Sequence, residues 1–153
     1  MITNWDLTNI YCHDEDFEKE IIRLKEKLTP EIASLAGKLG TESGFKKYLD
    51  LSLDVESSIS RAFVYASTRS DLDKRNVKNG EALMRIQLAY QDFASAASFA
   101  DPEILSLGKD YVLSFLKKHK EYEQFDFAFE KLFREADHVL SADKEKLLSA
   151  YAP

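Results

Sequence analysis

The sequence predicts an all-α protein, an antiparallel helical bundle of about six or seven helices arranged as hairpins. Apolar residues recur three and four positions apart through nearly every long segment, which is the spacing of one face of an α-helix. No segment shows the strict alternation of apolar and polar residues that indicates a half-buried strand. A length of 153 residues suits one domain, so we expect a single helical domain over residues 1–153.

The first helix is predicted after an extended start around Trp5 and Tyr11. Residues 14–16 are all acidic, and negative charge in a first turn suits the positive N-terminal end of the helix dipole. The apolar residues that follow are spaced four, three and four apart, so they form one stripe. This stripe consists of Phe17, Ile21, Leu24 and Leu28.

The pair Thr29 and Pro30 marks the next boundary. Proline is favoured at the first position of a helix and disfavoured in its interior, where it lacks an N–H group and clashes with the preceding turn. The sequence therefore predicts either a kink or a second helix here, with Ile32, Leu35 and Leu39 on its apolar face.

Two long helices are predicted in the middle of the chain, after a turn over residues 40–44. The first keeps helical spacing over residues 45–66 and is predicted to end in the polar connection TRSDLDKRN. Asn76 or Asn79 is expected to cap the second helix, in which the small residues near its end allow a neighbouring helix to approach closely. The apolar stripe of this second helix is predicted to hold Leu83, Ile86, Tyr90, Phe93 and Ala97.

The last third of the chain predicts shorter helices. Residues 101–103, Asp-Pro-Glu, are expected to start a helical turn, and further helices are expected over residues 111–116 and 122–136. A final helix is expected after Ser141, with Leu147, Leu148 and Tyr151 on its apolar side.

Charge and composition exclude several classes of partner. The net charge of −6 argues against a nucleic-acid partner, which usually requires a basic stripe. The densest basic cluster, residues 117–120, stands where it complements a helix dipole. No apolar run approaches the roughly 18 residues of a membrane span, and the lone Cys12 cannot form an intramolecular disulfide. With no signal sequence at its start, we expect the chain in the cytoplasm.

A zinc-dependent active site requires a motif that this sequence lacks. In HExxH, two histidines lie on one helix face and the glutamate beside the first acts as general base. None of the three histidines, His13, His119 and His138, has such partners. His138 stands just before Ser141, a predicted helix cap, so a structural role is favoured for it. We expect no catalytic residue and no metal ligand in this chain.

A calcium site is excluded by charge. Residues 71–82 begin like an EF-hand loop, with Asp71 and Asp73, but Arg75 occupies the third ligand position and Ala82 replaces the final glutamate. A solvated loop between helices is the better interpretation. The five glycines are scattered, so we expect no phosphate-binding loop and no cofactor in this chain.

Four segments, in order, carry a resemblance to a known family. They are NWDLTNIYCHDEDFEKEIIRLKEKL near the start, FVYASTRSDLDKRN, SFADPEILSL, and READHVLSADKEKLLSAYAP at the end. Together they resemble the N-terminal part of oligoendopeptidase F, a bacterial zinc metallopeptidase of the thimet-oligopeptidase superfamily. The resemblance covers nearly the whole chain, whereas the family's HExxH motif lies in a C-terminal half that this sequence does not contain.

The resemblance implies a non-catalytic role. The chain is expected to be the N-terminal domain alone, as an expressed fragment or a naturally short protein. In the family this region forms a wall and lid of a channel that admits short peptides. Its implied partners are the catalytic domain of the same peptidase, which would hold the zinc, and an oligopeptide substrate. Tyr65, Arg69 and Asp73 are the candidate channel contacts, and each is equally explained as a surface or packing residue.

A different class of function stays open. The chain is also interpretable as a stand-alone helical interaction module, for example a homodimer, with an apolar groove for a partner helix. Because an isolated domain exposes apolar surface that a catalytic half would cover, we expect the chain to self-associate.

Overall fold

The fold is entirely helical over the residues that the computed structural model describes, which are residues 5–136 and Lys144. No strand occurs among them, and the predicted all-α class is confirmed. The predicted helix after Ser141, with His138 before it, lies outside the described residues. In chain order the elements are α1 (Asp14–Arg23), a π turn (Leu24–Leu28), α2 (Thr29–Ala33), α3 (Glu42–Leu72), α4 (Val77–Ala97), α5 (Ala100–Leu107), α6 (Lys109–Lys118), a 3₁₀ turn (Lys120–Phe125) and α7 (Asp126–Arg134).

The π turn carries the first helix across Pro30 without a break. The Thr29 N–H donates to the carbonyl of Leu24, five residues back, and the Thr29 hydroxyl donates to the same carbonyl at 2.8 Å. Leu28 and Thr29 both keep right-handed helical backbone angles. The segments α1, π turn and α2 therefore form one rod.

The apolar stripe of this rod lies in the core as predicted. Phe17, Ile21, Leu24 and Leu28 are all buried, and the predicted continuation is buried as well. That continuation comprises Ile32, Leu35 and Leu39.

Helix α3 runs antiparallel to the rod. Arg23 reaches Asp54 with Nη1 to Oδ2 at 2.8 Å, and Glu31 pairs with Lys47 at the same distance. Arg23 also donates to Ser58, which is buried. The residue numbers of the paired side chains rise along the rod and decrease along α3, so the two helices run in opposite directions.

Helix α4 returns alongside α3 and runs parallel to the rod. Glu18 of the rod forms a bidentate pair with Arg85 at 2.6 Å, and Lys25, further along the rod, pairs with Asp92. The residue numbers of the partners therefore rise along both elements. Asn76 caps α4 by accepting a hydrogen bond from the Lys78 N–H at 3.1 Å, as one of the two predicted caps.

The predicted polar connection after α3 is shorter than expected. The helix continues through Leu72, so the first five residues of TRSDLDKRN are helical and only residues 73–76 form the link. Polar side chains do not end a helix whose face is open to solvent, which explains the error.

One residue of the predicted α4 stripe is misplaced. Tyr90 is 54% exposed, whereas its neighbour Ala89 is fully buried beside Ile86. The small residues 94–98 are half-buried.

The helices α5 to α7 pack on the first half of α3. Phe45, fully buried, contacts Phe115 with ring centroids 4.7 Å apart and Phe129 at 5.9 Å. The carboxylate of Glu103 accepts hydrogen bonds from the N–H groups of Gly37 at 2.8 Å and Leu39 at 2.7 Å. These contacts join the last third of the described chain to the segment between α2 and α3.

Exposed apolar side chains concentrate on the α3–α4 hairpin. Within the described residues no helix is both long and apolar enough to span a membrane. The large apolar residues exposed on the hairpin are Phe63, Val64, Leu72, Val77, Met84, Leu88 and Tyr90.

Candidate functional site

The structure brings two of the three predicted contact residues together at the end of α3. The Tyr65 hydroxyl donates to Asp14 Oδ1 at 2.7 Å, and Arg69 Nη1 forms a short ion pair with the same carboxylate oxygen. Arg69 Nη1 also donates to the Tyr65 hydroxyl oxygen at 3.0 Å. Residues four apart on α3 share one face, and the antiparallel packing of α1 sets Asp14 opposite them. We call these three residues the Asp14 cluster.

The aromatic ring of Tyr65 anchors this cluster in the core. Tyr65 is buried, and its ring lies 5.2 Å from that of Tyr11 and 5.4 Å from that of Phe17. The Arg69 guanidinium lies 5.3 Å from the Tyr65 ring centroid, in cation–π distance. The ring therefore has a packing role, while its hydroxyl and Arg69 reach the surface.

The electrostatics of the cluster favour an ionised Asp14. Hydrogen bonds from Arg69 and then from Tyr65 lower the pKa of Asp14 below its usual value, because both donors stabilise the charged carboxylate. Burial raises the pKa of Tyr65, and its hydrogen bond to Asp14 adds to that rise. At neutral pH the cluster is therefore a carboxylate held between a guanidinium and a neutral phenol.

Asp73, the third predicted residue, stands apart from the cluster. Its Oδ1 accepts a hydrogen bond from the Arg75 N–H at 3.1 Å, which shapes the link between α3 and α4. Beside it, the buried Asn79 donates to the carbonyl of Arg69 at 2.9 Å and closes the end of α3. A substrate contact by Tyr65, Arg69 or Asp73 stays a prediction.

Sequence reasoning placed Asp14 at a helix start but missed its partners. An acidic first turn predicts a dipole interaction at any of residues 14–16, and nothing local distinguishes the residue that faces α3. The Arg69 partner lies 55 positions away. Only the packing of α1 against α3 selects Asp14.

Two surface pockets of about 470 Å³ each lie on either side of Arg69, which lines both. The first pocket is bounded by α1 and α4, and Phe17, Met84 and Leu88 supply its apolar side. The second is bounded by the extended start of the chain, with Trp5, and by Leu72. Because Arg69 lines both pockets, we call the two together the Arg69 groove.

The described residues do not fit a zinc ion. They contain no group of three histidine, cysteine, aspartate or glutamate side chains that could hold a metal. The Nε2 atom of His119 instead lies 3.1 Å from Oε1 of Glu42, and its ring packs against that of Phe115 at a tilt of 43°, with the centroids 4.5 Å apart. Arg75, in the sequence position of a calcium ligand, is 99% exposed along its side chain.

Comparisons with known protein sequences show which class of protein the chain resembles. Residues 103–153 match the family described as oligopeptidase F. The chain is 30% identical over 145 residues to the group B oligopeptidase PepB of Streptococcus agalactiae, and the match covers 95% of this chain and 24% of that protein. It is 33% identical over 147 residues to the oligopeptidase PepF of Bacillus subtilis, covering 95% of this chain and 22% of that protein. The chain is thus a helical domain similar to part of bacterial oligopeptidases.

A solved structure shows which particular protein this fold resembles. The oligoendopeptidase-F of Enterococcus faecium superimposes with a TM-score of 0.76 at 25% identity, over 90% of this chain and 27% of that one. The chain is therefore similar to the N-terminal domain of oligoendopeptidase F, and the resemblance predicted from its sequence is confirmed. It spans about a quarter of the length of the curated relatives that it matches.

Proposed function

We propose that this chain is the non-catalytic, substrate-enclosing domain of a zinc-dependent oligopeptidase that hydrolyses short peptides. The observation that carries the proposal is the match of nearly the whole chain to about a quarter of an oligoendopeptidase F structure, with the fold in common. The partner is then the catalytic domain of the same peptidase, and the ligand is an oligopeptide. The proposed compartment is the cytoplasm.

Zinc is assigned to the catalytic domain because the described part of this chain offers no site for it. The sequence contains no HExxH motif, and the described side chains provide no alternative ligand set. When bound in such a catalytic domain, the metal would supply Lewis-acid activation of the peptide carbonyl. The part proposed for this chain is confinement of the peptide and contact with it.

The described packing suits a rigid wall. Three ion pairs along the rod, centred on Glu18, Arg23 and Glu31, fix it against the long helices on both sides. The apolar residues exposed on the α3–α4 hairpin outside the Arg69 groove supply a surface that a larger neighbouring domain would cover; they are Phe63, Val64, Val77 and Tyr90. A wall of this kind excludes folded proteins by shape, without moving parts.

A domain exchange tests the proposal. The region of the Enterococcus faecium oligoendopeptidase-F that matches this chain is replaced by residues 1–153, and cleavage of a quenched fluorescent octapeptide is compared with cleavage of folded ubiquitin. We expect the chimera to cleave the octapeptide and leave ubiquitin intact, whereas the same enzyme lacking the region loses octapeptide cleavage or selectivity.

Two outcomes would contradict the proposal. A well-folded chimera that behaves like the enzyme lacking the region would show that this chain does not enclose substrate, and a stable homodimer of the chain would then favour the stand-alone interaction module. Zinc-dependent cleavage of the octapeptide by the 153-residue chain alone would refute the non-catalytic assignment.

A further inference from the structure

The Arg69 groove combines a fixed cation with apolar walls. Met84 and Leu88 are 61% and 46% exposed at one end, and Trp5 is 66% exposed at the other. Phe17, which lines the Met84 end, is buried. Large apolar side chains left in water around a charged centre are typical of sites that bind a small amphipathic ligand.

Arg69 is held in place but only partly used by the fold. Its Nη1 group contacts Asp14 and Tyr65, and its guanidinium is held over the Tyr65 ring. Among the described residues no partner is found for Nε or Nη2, and the side chain is 30% exposed. A guanidinium with two adjacent donors available and its orientation already fixed suits bidentate binding of a carboxylate.

Lys78 adds a second positive charge at the same point. It lines the Met84 side of the groove. The positive charges of Arg69 and Lys78 both lower the pKa of Asp14. The next cation along the groove, Arg85, is matched by Glu18 in a bidentate pair at 2.6 Å. Two cations therefore face the single carboxylate of Asp14 in the middle of the groove, which leaves a local excess of positive charge.

The groove as a whole is not a strong electrostatic trap. On the Met84 side three acidic residues balance three basic ones, and Asp6 on the Trp5 side leaves the whole groove with one negative charge in excess. A highly charged anion therefore gains nothing from the groove as a whole, while a ligand with one carboxylate beside an apolar group can use both the local cationic centre and the walls.

We propose that the Arg69 groove binds the C-terminal end of an oligopeptide, with the terminal carboxylate on Arg69 and Lys78 and an apolar last side chain against Met84 and Leu88. This inference rests on the proposed function, because an oligopeptide is the ligand that such a domain would enclose. The inference specifies the end of the peptide that this chain binds and the residues that bind it.

The test uses the 153-residue chain and one labelled peptide in two forms. The probe is a pentapeptide of four alanines and a C-terminal leucine, labelled at its N-terminus with fluorescein, as the free acid and as the C-terminal amide. Fluorescence anisotropy is expected to show about tenfold tighter binding of the free acid, since a hydrogen-bonded charge pair is lost in the amide.

Matched variants locate the carboxylate. Arg69→Lys keeps the charge but loses the planar pair of donors, and Lys78→Gln removes the second cation, so each is expected to reduce the preference for the free acid. Arg134→Gln, an exposed arginine of α7 paired only with its neighbour Glu135 among the described residues, is expected to leave it unchanged. The Lys78 side chain is exposed, so its replacement is expected to leave the fold intact and stays informative if Arg69→Lys unfolds the chain.

Equal affinity for the two peptide forms, or a preference that survives both Arg69→Lys and Lys78→Gln, would overturn the inference. The result is separable from the domain exchange. A chimera that encloses substrate while the chain shows no preference for the free acid refutes this site alone, and a failed chimera with the preference intact refutes the enclosing role alone.

Discussion

Asp14 joins the beginning of α1 to the end of α3 through one carboxylate group. Its two donors, Tyr65 and Arg69, come from the same helix face, so the cluster fixes both the rotation of α3 and the position of the first turn of α1. The carboxylate is 68% exposed, and exposed ion pairs are typically worth less than about 1 kcal/mol. The cluster is thus a modest clamp between the beginning of α1 and the end of α3.

This clamp should weaken in acid. The folded protein lowers the pKa of Asp14 below the ordinary 3.8, so the unfolded chain binds the proton more readily. The stabilisation is therefore present above about pH 4 and is lost as the pH falls through the lowered value. We expect Asp14→Asn to reduce the free energy of unfolding by about 1 kcal/mol or less at pH 7 and by progressively less below pH 4, measured by urea denaturation.

Asp110→Asn provides the matched control for Asp14. Asp110 also lies in the first turn of a helix, α6, but forms no hydrogen bond across the bundle among the described residues, so it reports the helix-dipole contribution alone. An equal pH-dependence in both variants would contradict the role of the Asp14 cluster.

At this scale the sequence predicts types of residue but not their partners. Tyr65 and Arg69 are both predicted contact residues, and because α3 continues through Leu72 their spacing of four places them on one helix face. The acidic partner was selected by tertiary packing, which the local pattern of residues 14–16 does not contain. Asp73 lies only four positions further along than Arg69, yet it falls beyond the last helical residue and turns into the link.

The helices themselves followed from apolar spacing, and the errors arose where that spacing was ambiguous. In α4 a stripe through Ile86 can continue at Ala89, three positions on, or at Tyr90, four positions on, and the stripe predicted from the sequence contains Tyr90. The close packing of α3, α4 and the rod instead selects the residue without a bulky side chain, so Ala89 is buried and Tyr90 is exposed. Periodicity gives the direction of a helix face with an error of about one residue.

Substitutions at Ala89 and Tyr90 test which of the two side chains faces the core. Tyr90→Gln should change the free energy of unfolding by less than about 0.5 kcal/mol, as exposed substitutions do. Ala89→Gln places a larger polar group where there is no space, and should cost about 3 kcal/mol. Thermal and urea denaturation of the two variants measure the difference, and equal losses would show that the assignment of the buried face is wrong.

Considered as a whole, the described chain covers its core well on one side and less well on the other. The half built from α5 to α7 exposes one large apolar side chain, Phe127, whereas the α3–α4 hairpin exposes seven. An apolar surface of this kind usually meets a partner. In the chain alone, we expect it to meet a second copy.

Self-association should therefore depend on concentration. Sedimentation velocity of the 153-residue chain is expected to show dimers or larger species that increase with protein concentration, and Val77→Glu, a substitution at a side chain 72% exposed on the hairpin, should shift the population toward monomer. Phe127→Glu, equally exposed but on α7, should have a smaller effect. A monomer at every concentration would contradict the expectation.

At the scale of the molecule, the order of short motifs predicted more than any single site did. The four segments resemble the N-terminal part of oligoendopeptidase F, and the structural match over 90% of the chain agrees with that resemblance. The absence of HExxH was certain from the sequence alone. Which surface faces a partner follows from exposure, a property that needs the assembled helices.

The π turn makes the rod tolerant of one particular change in chain length. Its hydrogen bond from Thr29 to Leu24 spans five residues instead of the four of an α-helix, so the turn encloses one residue more than a regular turn does. Deleting one residue between Leu24 and Leu28 is expected to restore a regular α-helical turn while Ile32 and Leu35 keep their buried face. The same deletion in the middle of α3 would rotate the rest of that helix by about 100°, so relatives should differ in length at the π turn or at the exposed link of residues 73–76 and not inside α3.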